Sequence, residues 1–261
     1  MLWPLSSKEK GLAQLGMSAV PLEVTSAESI AACKAEVERL TGGRLDILVN
    51  NAGRSHTVPA LDIELDDLRA TYETNVFAPL MLCQALAPQL IAARGLVVNI
   101  SSLSTQVPYL FRAAYSSSKA ALAAWSRVLR LEMRPFGVRV MVVTAGTVRS
   151  NIASHAERQL PGASLYRPIE DVFRRYLRYS QETATMDTAV FAERVVREAI
   201  RGESWCGGLV GGTPYYFWLG GMSRLVWTAQ WLPSRFFEIV TGMYYGVGKI
   251  SRQIALATKR D

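Results

Sequence analysis

The residues with the clearest chemical potential are a tyrosine and a lysine spaced four apart, Tyr115 and Lys119. They stand at the start of an alanine-rich segment that predicts a helix, where side chains four residues apart share one face. A free tyrosine has a pKa of about 10 and exchanges protons poorly at neutral pH. A neighbouring ammonium stabilises the phenolate and is expected to lower that pKa. Tyr115 is therefore a candidate general acid or base.

This spacing also occurs in helices with one half-buried aromatic and one solvated lysine, so other polar residues must support the interpretation. Ser102 ends an apolar run that begins at Gly95, and Asn51 follows a second apolar run. Both runs predict buried strands, and open α/β sheets bind ligands at the carboxyl ends of their strands. Asn75 lies in a segment with a helical pattern. The sequence thus predicts that polar side chains gather at one sheet edge.

The elements that must position these residues alternate between strand and helix. Helices are predicted after Thr25, over Leu65 to Ala93 and over Tyr115 to Met133; strands are predicted over Ala19 to Val24, Leu45 to Val49, Leu96 to Ile100 and Val138 to Val143. Thr25 and Glu28 form a predicted capping box for the first helix. The alternation predicts an α/β fold, a doubly wound parallel sheet wrapped by helices.

Taken together, these residues resemble the short-chain dehydrogenase/reductase family. The family's catalytic tetrad corresponds to Asn75, Ser102, Tyr115 and Lys119. The resemblance implies that Ser102 orients a carbonyl, that Tyr115 passes the proton, and that Lys119 binds the nicotinamide ribose and lowers the tyrosine pKa. It also implies that Asn75 holds a water in the proton relay, and that the fold is Rossmann-like.

The same resemblance implies a nicotinamide cofactor, with NADPH (NADP) as the expected form. The residues assigned to it are Glu23, Asn51, Tyr115, Lys119, Val148 and Ser150. Glu23 stands where the family has an aspartate near the adenine. Ala145 to Ser150 stands at the family's carboxamide-binding turn, with Ala145 in place of the usual proline.

The family's glycine-rich phosphate loop is absent from this sequence, which has 22 residues before Glu23. The resemblance therefore predicts an N-terminally truncated sheet, with the first strand, first helix and second strand absent. The residue that selects NADPH over NADH is absent with them. Two alternatives follow: a relative that cannot bind cofactor and acts as a binding partner, or a natural protein with an earlier start.

Within the family, the chain resembles the NADPH-dependent 1-acyldihydroxyacetone-phosphate reductases of fungi. The stretches that carry this resemblance are Asn50 to Ser55, Pro59 to Asp62, Leu131 to Val140, Leu160 to Tyr166 and the aromatic C-terminal region. The implied reaction reduces a ketone to a secondary alcohol and yields lysophosphatidic acid. Ketones of sterols or secondary metabolites are alternative substrates, because the fold does not fix the substrate.

Composition predicts one domain over residues 1–261, since the chain is 49% hydrophobic and 20% charged. The formal charge of +7 is compatible with an anionic partner, but no nucleic-acid signature accompanies it, so no nucleic-acid partner is predicted. Three widely spaced cysteines indicate a reducing compartment. The two histidines, His56 and His155, have no ligand-spaced partners, so no metal site is predicted.

Two later regions bear on substrate and location. Residues 151–181 correspond to the family's substrate loop and contain an amphipathic segment: Ile169, Val172, Phe173, Tyr176 and Leu177 against Arg174, Arg175 and Arg178. This segment suits a lipophilic substrate with an anionic head or, equally, a lid helix with a solvated face.

Residues 204–250 mix aromatic and basic side chains, with seven Lys/Arg against three Asp/Glu over 201–261. This mixture predicts peripheral attachment to the cytoplasmic side of a membrane, with the endoplasmic reticulum or a lipid droplet as candidate surfaces. A domain-closing or subunit-packing role is the alternative. Helices over Leu80 to Leu90 and Tyr115 to Leu131 predict a homo-oligomer, because they are apolar on more than one face.

Overall fold

The structure is a computed structural model that describes residues 11–258 except 13, 151, 153–157, 183–184 and 204–209, with the side chains of 178–181 and 258 also excluded. The strands are β1 (Ile47–Asn50), β2 (Leu96–Ser102), β3 (Arg139–Ala145) and β4 (Tyr216–Leu219). The helices are α1 (Ala27–Thr41), α2 (Leu65–Tyr72), α3 (Ala78–Ala93), α4 (Ala113–Met133), α5 (Glu170–Glu182), α6 (Thr188–Ala199), α7 (Ser223–Ala229), α8 (Ser234–Tyr244) and α9 (Val247–Thr258).

The strands form one sheet in the order β1, β2, β3, β4, and every described pair is parallel. Val98 of β2 aligns with Val49 on one side and Met141 on the other. Parallel strands covered on both faces are nearly continuous in apolar residues, and the fully buried run that starts at Leu96 follows this rule. The predicted parallel α/β sheet is confirmed.

Helices cover both faces of the sheet. On one face, Val97 and Val140 pack with α3, including Leu86 and Leu90. On the other, Val98 and Met141 pack with α6 through Val195. Alternate residues of β2 and β3 thus point into different apolar clusters, as strand geometry requires. The sheet is held between two layers, and its carboxyl edge is left for polar residues.

The predicted strand over Ala19 to Val24 is wrong for this structure, in which residues 17–23 have no regular structure. A strand requires a neighbour that accepts and donates backbone hydrogen bonds. Among the described residues no strand lies beside this segment, and β1 forms the edge of the sheet with Val49 half exposed.

The predicted capping box is also wrong in its residues. Ser26, not Thr25, caps α1 and accepts a hydrogen bond from the Ser29 amide at 3.1 Å. The Thr25 amide and hydroxyl instead donate to Glu23 Oε1 at 3.2 and 2.8 Å. A carboxylate two residues upstream satisfies Thr25, so the helix begins one residue later.

The predicted helix over Leu65 to Ala93 exists, but a π-helical turn at Glu73–Phe77 interrupts it. Its 29 residues are long and apolar enough to cross a membrane by composition alone. Within this helix, α3 packs on the sheet through Leu82, Leu86 and Leu90, which are buried. A core helix passes the same test of composition, and these contacts are those of a core helix.

The sequence did not reveal β4, which lies inside the uncharged stretch 204–223; residues 204–209 of that stretch lie outside the described part. β4 pairs with β3 in parallel, and the glycines that follow β4 approach the end of β3 closely. A Cβ at Gly146 would lie 2.1 Å from the Gly221 carbonyl oxygen. Only a glycine allows this contact, which brings the loop after β3 toward the α7 region.

Candidate active site

The first two turns of α4 hold Tyr115 and Lys119 on one buried face. Their exposed fractions are 9% and 3%. Ser102 ends β2, and its side chain hydrogen-bonds with the tyrosine hydroxyl. The strand end and the helix start therefore bring three of the four predicted catalytic residues together, as the spacing predicted.

The electrostatics differ from the sequence prediction in sign. Burial raises the pKa of Tyr115, and the Ser102 hydrogen bond and the Arg112 charge only partly oppose it. Burial lowers the pKa of Lys119 to about 8. The ammonium donates to the Ile100 carbonyl oxygen at 2.8 Å and lies 6.0 Å from the tyrosine ring centroid. Desolvation outweighs charge attraction here, so Tyr115 stays a protonated phenol at neutral pH.

Asn75, the fourth predicted residue, lies fully buried in the π-helical turn. Its Oδ1 accepts from the Arg54 amide at 2.8 Å and its Nδ2 donates to the Arg54 carbonyl at 3.0 Å. The same Nδ2 donates to Ser118 Oγ at 2.9 Å, and that hydroxyl donates to the Tyr115 carbonyl at 2.7 Å. Single π-helical turns often mark functional sites, and this one fastens the loop after β1 to α4.

A cavity of about 730 Å³ is lined by three of the four predicted catalytic residues and by most of the predicted cofactor residues. Those that line it are Asn51, Ser102, Tyr115, Lys119, Val148 and Ser150. Gly53 lies in the same wall, where the nearest side-chain atoms to a Cβ built on it are Asn75 Oδ1 and Lys119 Nζ, each at 3.5 Å. Asn75 supports this wall from behind.

Glu23 does not join this group. It is exposed, and its carboxylate is held by Thr25, whose hydrogen bonds lower the pKa of Glu23. It is not among the residues that line the cavity. Its role near an adenine stays a prediction from resemblance.

The residues present fit the nicotinamide end of the predicted cofactor. Lys119 offers an ammonium and Ser150 a hydroxyl, and both line the cavity together with Asn51 and Val148. Such donors suit the ribose hydroxyls and the carboxamide of a nicotinamide riboside.

An apolar groove of about 530 Å³ adjoins the cavity. The two share Tyr109, Arg112 and Thr147 as lining residues. The groove is formed mainly by α7, α8 and the turn between them, with Leu225, Val226, Leu232, Phe236, Phe237, Val240 and Tyr244 among its walls. A ligand that reaches Tyr115 can therefore extend into an apolar channel.

The amphipathic segment of the predicted substrate loop forms the helix α5. Phe173 is fully buried and packs edge-to-face on Phe111 at 5.6 Å, while Arg174 is exposed and bonds Glu170 at 2.8 Å. The apolar face is thus occupied by protein, as in a lid helix with a solvated face. The side chain of Arg178 lies outside the described residues.

A chain of buried polar side chains links the strands to the catalytic helix, and the sequence did not predict it. Asn50 Nδ2 donates to Asn99 Oδ1 at 2.7 Å, and Asn99 Nδ2 donates to Ser126 Oγ at 2.8 Å. Asn99 and Ser126 are fully buried. The chain of bonds ties the end of β1 and the middle of β2 to α4, so it helps to fix the distance between the sheet and the catalytic helix.

A charged cluster at the cavity wall was also missed. Asp67 of α2 accepts from Arg54 at 2.5 Å and from Arg158 at 2.5 Å, and His56 lies 3.7 Å from the same carboxylate. The partners are up to 104 residues apart in sequence, and no local spacing signals such a cluster.

Comparisons with known proteins agree with this geometry. A family model described as short chain dehydrogenase matches residues 6–161. The short-chain dehydrogenase fogD of Aspergillus ruber is 39% identical over 216 residues, which cover 82% of this chain and 72% of that protein. The short-chain dehydrogenase srdE of Neurospora crassa is 33% identical and covers 99% of this chain and 86% of its own length.

Solved structures show the same relationship. A short-chain dehydrogenase from Streptomyces avermitilis superposes with a TM-score of 0.69 at 28% identity, covering 94% of this chain and 88% of that one. The NADPH-bound carbonyl reductase from chicken fatty liver gives a TM-score of 0.52 at 30% identity, covering 56% of this chain and 66% of its own.

Proposed function

The chain belongs to the short-chain dehydrogenase family, and we propose that this oxidoreductase uses NADPH to reduce a ketone with a large apolar part to a secondary alcohol. The observation that carries the proposal is the apolar groove that shares Tyr109, Arg112 and Thr147 with the catalytic cavity. A ketone held at Tyr115 has room for its apolar part in that groove.

The proposed mechanism follows from the residues in the cavity. A bound nicotinamide cofactor supplies the hydride. Ser102 and Tyr115 donate hydrogen bonds to the carbonyl oxygen and stabilise the charge that develops there. Tyr115, kept protonated by its raised pKa, donates the proton to that oxygen. Lys119, charged below about pH 8, stabilises the phenolate that remains.

NADPH rather than NADH is part of the proposal. The carbonyl reductase of known structure that binds NADPH supports it. The five basic side chains that line the cavity, Arg54, Arg112, Lys119, Arg149 and Arg158, also favour the more highly charged cofactor.

The ketone of 1-acyldihydroxyacetone phosphate is one candidate substrate, and the groove suits its acyl chain. The ketone of a sterol or a secondary metabolite is the other. The acyl ketone, the sterol and the secondary metabolite would all be lipophilic, so the first experiment tests whether the enzyme prefers a lipophilic ketone.

Filling the groove should impair the reduction of long ketones only. Val240 lines the groove, and a Val240→Trp variant is expected to raise KM for a long-chain methyl ketone roughly a hundredfold. Four methylenes excluded from burial cost about 0.8 kcal/mol each, and about 1.4 kcal/mol is a factor of ten. Both KM values are measured by NADPH oxidation in the protein extended by a glycine-rich N-terminal βαβ unit, and KM for acetone should be unchanged.

Val190→Trp is the matched control, because Val190 on α6 is 41% exposed and Val240 is 39% exposed. An equal rise of KM for acetone, or none for the long ketone, would count against a lipophilic substrate.

A homo-oligomer is proposed through α3 and α4, as the family comparison favours. The exposed side of α4 carries Ala120, Ala124, Val128 and Leu131 at helical spacing. Val128 is 53% exposed and Leu131 69%. A stripe of small and apolar residues suits helix packing against a second copy.

A Val128→Glu variant should dissociate the oligomer at micromolar concentration, because a buried, unpaired carboxylate at the interface is unfavourable. Light scattering measures the change in mass. Val196→Glu, at a site 55% exposed on α6, should leave the mass unchanged. A monomeric wild type would contradict the proposal.

Peripheral membrane attachment on the cytoplasmic side, at the endoplasmic reticulum or a lipid droplet, is proposed through α7 to α9. One face of α8 is apolar and exposed, at Phe236, Ile239, Val240, Met243 and Tyr244. The cations on these helices are Arg224, Arg235, Lys249 and Arg252, against the single carboxylate Glu238. An exposed apolar face with flanking cations suits an anionic lipid surface.

Met243→Glu should weaken flotation with vesicles that contain anionic phospholipid, whereas Leu61→Glu should not. The two sites are 70% and 73% exposed, but Leu61 lies in a different part of the fold. High salt should release only part of the wild-type protein, because the apolar contribution persists. Wild type that stays with the soluble fraction would favour the packing role of this region.

A further inference from the structure

The wall of the catalytic cavity carries an excess of positive charge. Arg54, Arg112, Arg149 and Arg158 line it together with Lys119, and no acidic side chain does so among the described residues. Asp67 of α2 pairs with two of these cations, Arg54 and Arg158, but is not itself a lining residue. Cavities lined by one sign of charge concentrate ligands of the other sign.

Two of these arginines share one carboxylate. Arg54 Nη2 donates to Asp67 Oδ1 at 2.5 Å. Arg158 Nη1 donates to Asp67 Oδ2 at 2.5 Å, and its Nη2 lies 3.4 Å from Oδ1. The side chains of Arg54, Asp67 and Arg158 are 35%, 29% and 20% exposed, so the cluster lies at the border between protein and cavity.

The cluster has a net charge of +1 at neutral pH. The hydrogen bond from Arg158 is the main reason that the pKa of Asp67 is lowered, so the carboxylate is ionised. Burial lowers the pKa of His56, which keeps the imidazole neutral. His56 is 1% exposed and lies 3.3 Å from Arg158 Nη1. Two guanidinium groups therefore face one negative charge.

The position of the cluster relates it to the substrate. The Asn75 side chain bonds the backbone of Arg54 twice: it accepts from the Arg54 amide and donates to the Arg54 carbonyl oxygen. Arg158 comes from the segment between β3 and α5, which corresponds to the substrate loop. Both guanidinium groups bond the same Asp67 carboxylate, so they lie together in the wall of the cavity that Tyr115 also lines.

We propose that Arg54 and Arg158 form a subsite for a phosphate or carboxylate group carried by the ketone substrate. This inference rests on the proposed function and narrows it to anionic ketones. The described hydrogen bonds engage one terminal nitrogen of Arg54 and two of Arg158. A guanidinium has five N–H donors in a planar fork that matches phosphate and carboxylate oxygens.

The test compares two probes that differ only in the phosphate, dihydroxyacetone phosphate and dihydroxyacetone. Calorimetric titration of the full chain measures binding without turnover. The wild type should bind the phosphate probe at least tenfold more tightly. Arg54→Gln and Arg158→Gln should each lose about tenfold to hundredfold for that probe, since hydrogen bonds to charged groups are the strong ones. Neither should change for dihydroxyacetone.

Arg174→Gln is the control for net charge, because Arg174 is exposed on α5 and bonds Glu170. Equal binding of both probes by the wild type, or an equal loss in Arg174→Gln, would overturn the subsite. If Arg158→Gln lowers the midpoint of thermal unfolding, Arg158→Lys replaces it in the test. Arg158→Lys should keep part of the affinity for dihydroxyacetone phosphate because the charge remains.

Titration with NADPH separates the two sources of phosphate. It is run on the protein extended by a glycine-rich N-terminal βαβ unit, because the 261-residue chain is not expected to bind NADPH. Affinity for NADPH that falls in Arg54→Gln and Arg158→Gln, with unchanged binding of dihydroxyacetone phosphate, would assign the arginines to the cofactor and overturn the proposal. A failure of the proposed reductase function would instead appear as absent turnover of both anionic and neutral ketones while the preference for dihydroxyacetone phosphate in binding persists, so the two failures are distinct.

Discussion

Replacing Tyr115 with phenylalanine is expected to lower ketone turnover by roughly 10²–10⁴-fold while leaving the fold intact. The change removes the hydroxyl that bonds Ser102 and keeps the buried ring. General acid catalysis supplies about that factor, whereas one lost hydrogen bond destabilises the fold by only about 0.5–1.5 kcal/mol. kcat is measured by NADPH oxidation in the protein extended by a glycine-rich N-terminal βαβ unit, because the 261-residue chain is not expected to bind NADPH. The midpoint of thermal unfolding is measured on the same form.

Tyr72→Phe is the matched control, since Tyr72 is half-buried in α2 and packs against Phe77. It should retain wild-type turnover. Near-normal kcat in Tyr115→Phe would remove Tyr115 from the mechanism. If Tyr115→Phe lowers kcat because the chain unfolds, Ser102→Ala is the second variant to measure. It keeps the phenol, and we expect it to destabilise the fold less.

The part of this site that the sequence could predict depends on local rules. Tyr115 and Lys119 share a face because four residues make about one helical turn, and Ser102 meets them because parallel strands end at one edge. None of these arguments needs a distant partner. The four tetrad residues and the cavity residues Asn51, Val148 and Ser150 therefore appear together in the structure.

The parts that sequence reasoning missed depend on distant partners. A strand over Ala19 to Val24 requires a neighbour that the described chain does not provide. Asp67 meets Arg158 across 91 positions, and no periodicity predicts that pair. β4 pairs with β3 next to the close approach of Gly146 to Gly221, and a stretch without charge does not reveal either contact.

The direction in which the pKa of Tyr115 shifts also could not be predicted from local sequence. From sequence, a lysine four residues away lowers the pKa of Tyr115. In the fold both groups are buried, so desolvation raises the tyrosine pKa and lowers that of Lys119. Burial depends on the whole fold, and it decides the direction here. The resulting protonated phenol is the form that reduction of a ketone needs.

The second large effect concerns cofactor affinity. The 261-residue sequence contains no glycine-rich phosphate loop, although the residues for the nicotinamide end line the cavity. Each charge-assisted hydrogen bond to a phosphate contributes about 1.5–3 kcal/mol, and about 1.4 kcal/mol is tenfold. We therefore expect the 261-residue chain to show no NADPH binding at micromolar concentration.

The same chain is expected to be poorly soluble, because β1 lies at the edge of the described sheet with Val49 half exposed. An exposed apolar strand edge promotes association. Fusing a glycine-rich first βαβ unit to the N-terminus should restore both properties. Calorimetric titration with NADPH and the soluble fraction after expression are the two measurements.

A fusion in which valines replace the loop glycines separates the two effects. It should cover the sheet edge and restore solubility, yet leave NADPH unbound, because side chains there would keep the phosphates from the backbone amides. Failure of the glycine-containing fusion to bind NADPH would favour a binding partner without cofactor over an enzyme. Micromolar affinity in the 261-residue chain itself would contradict the prediction, and it would require a phosphate site built from other residues, for which Arg54 and Arg158 are the first to test.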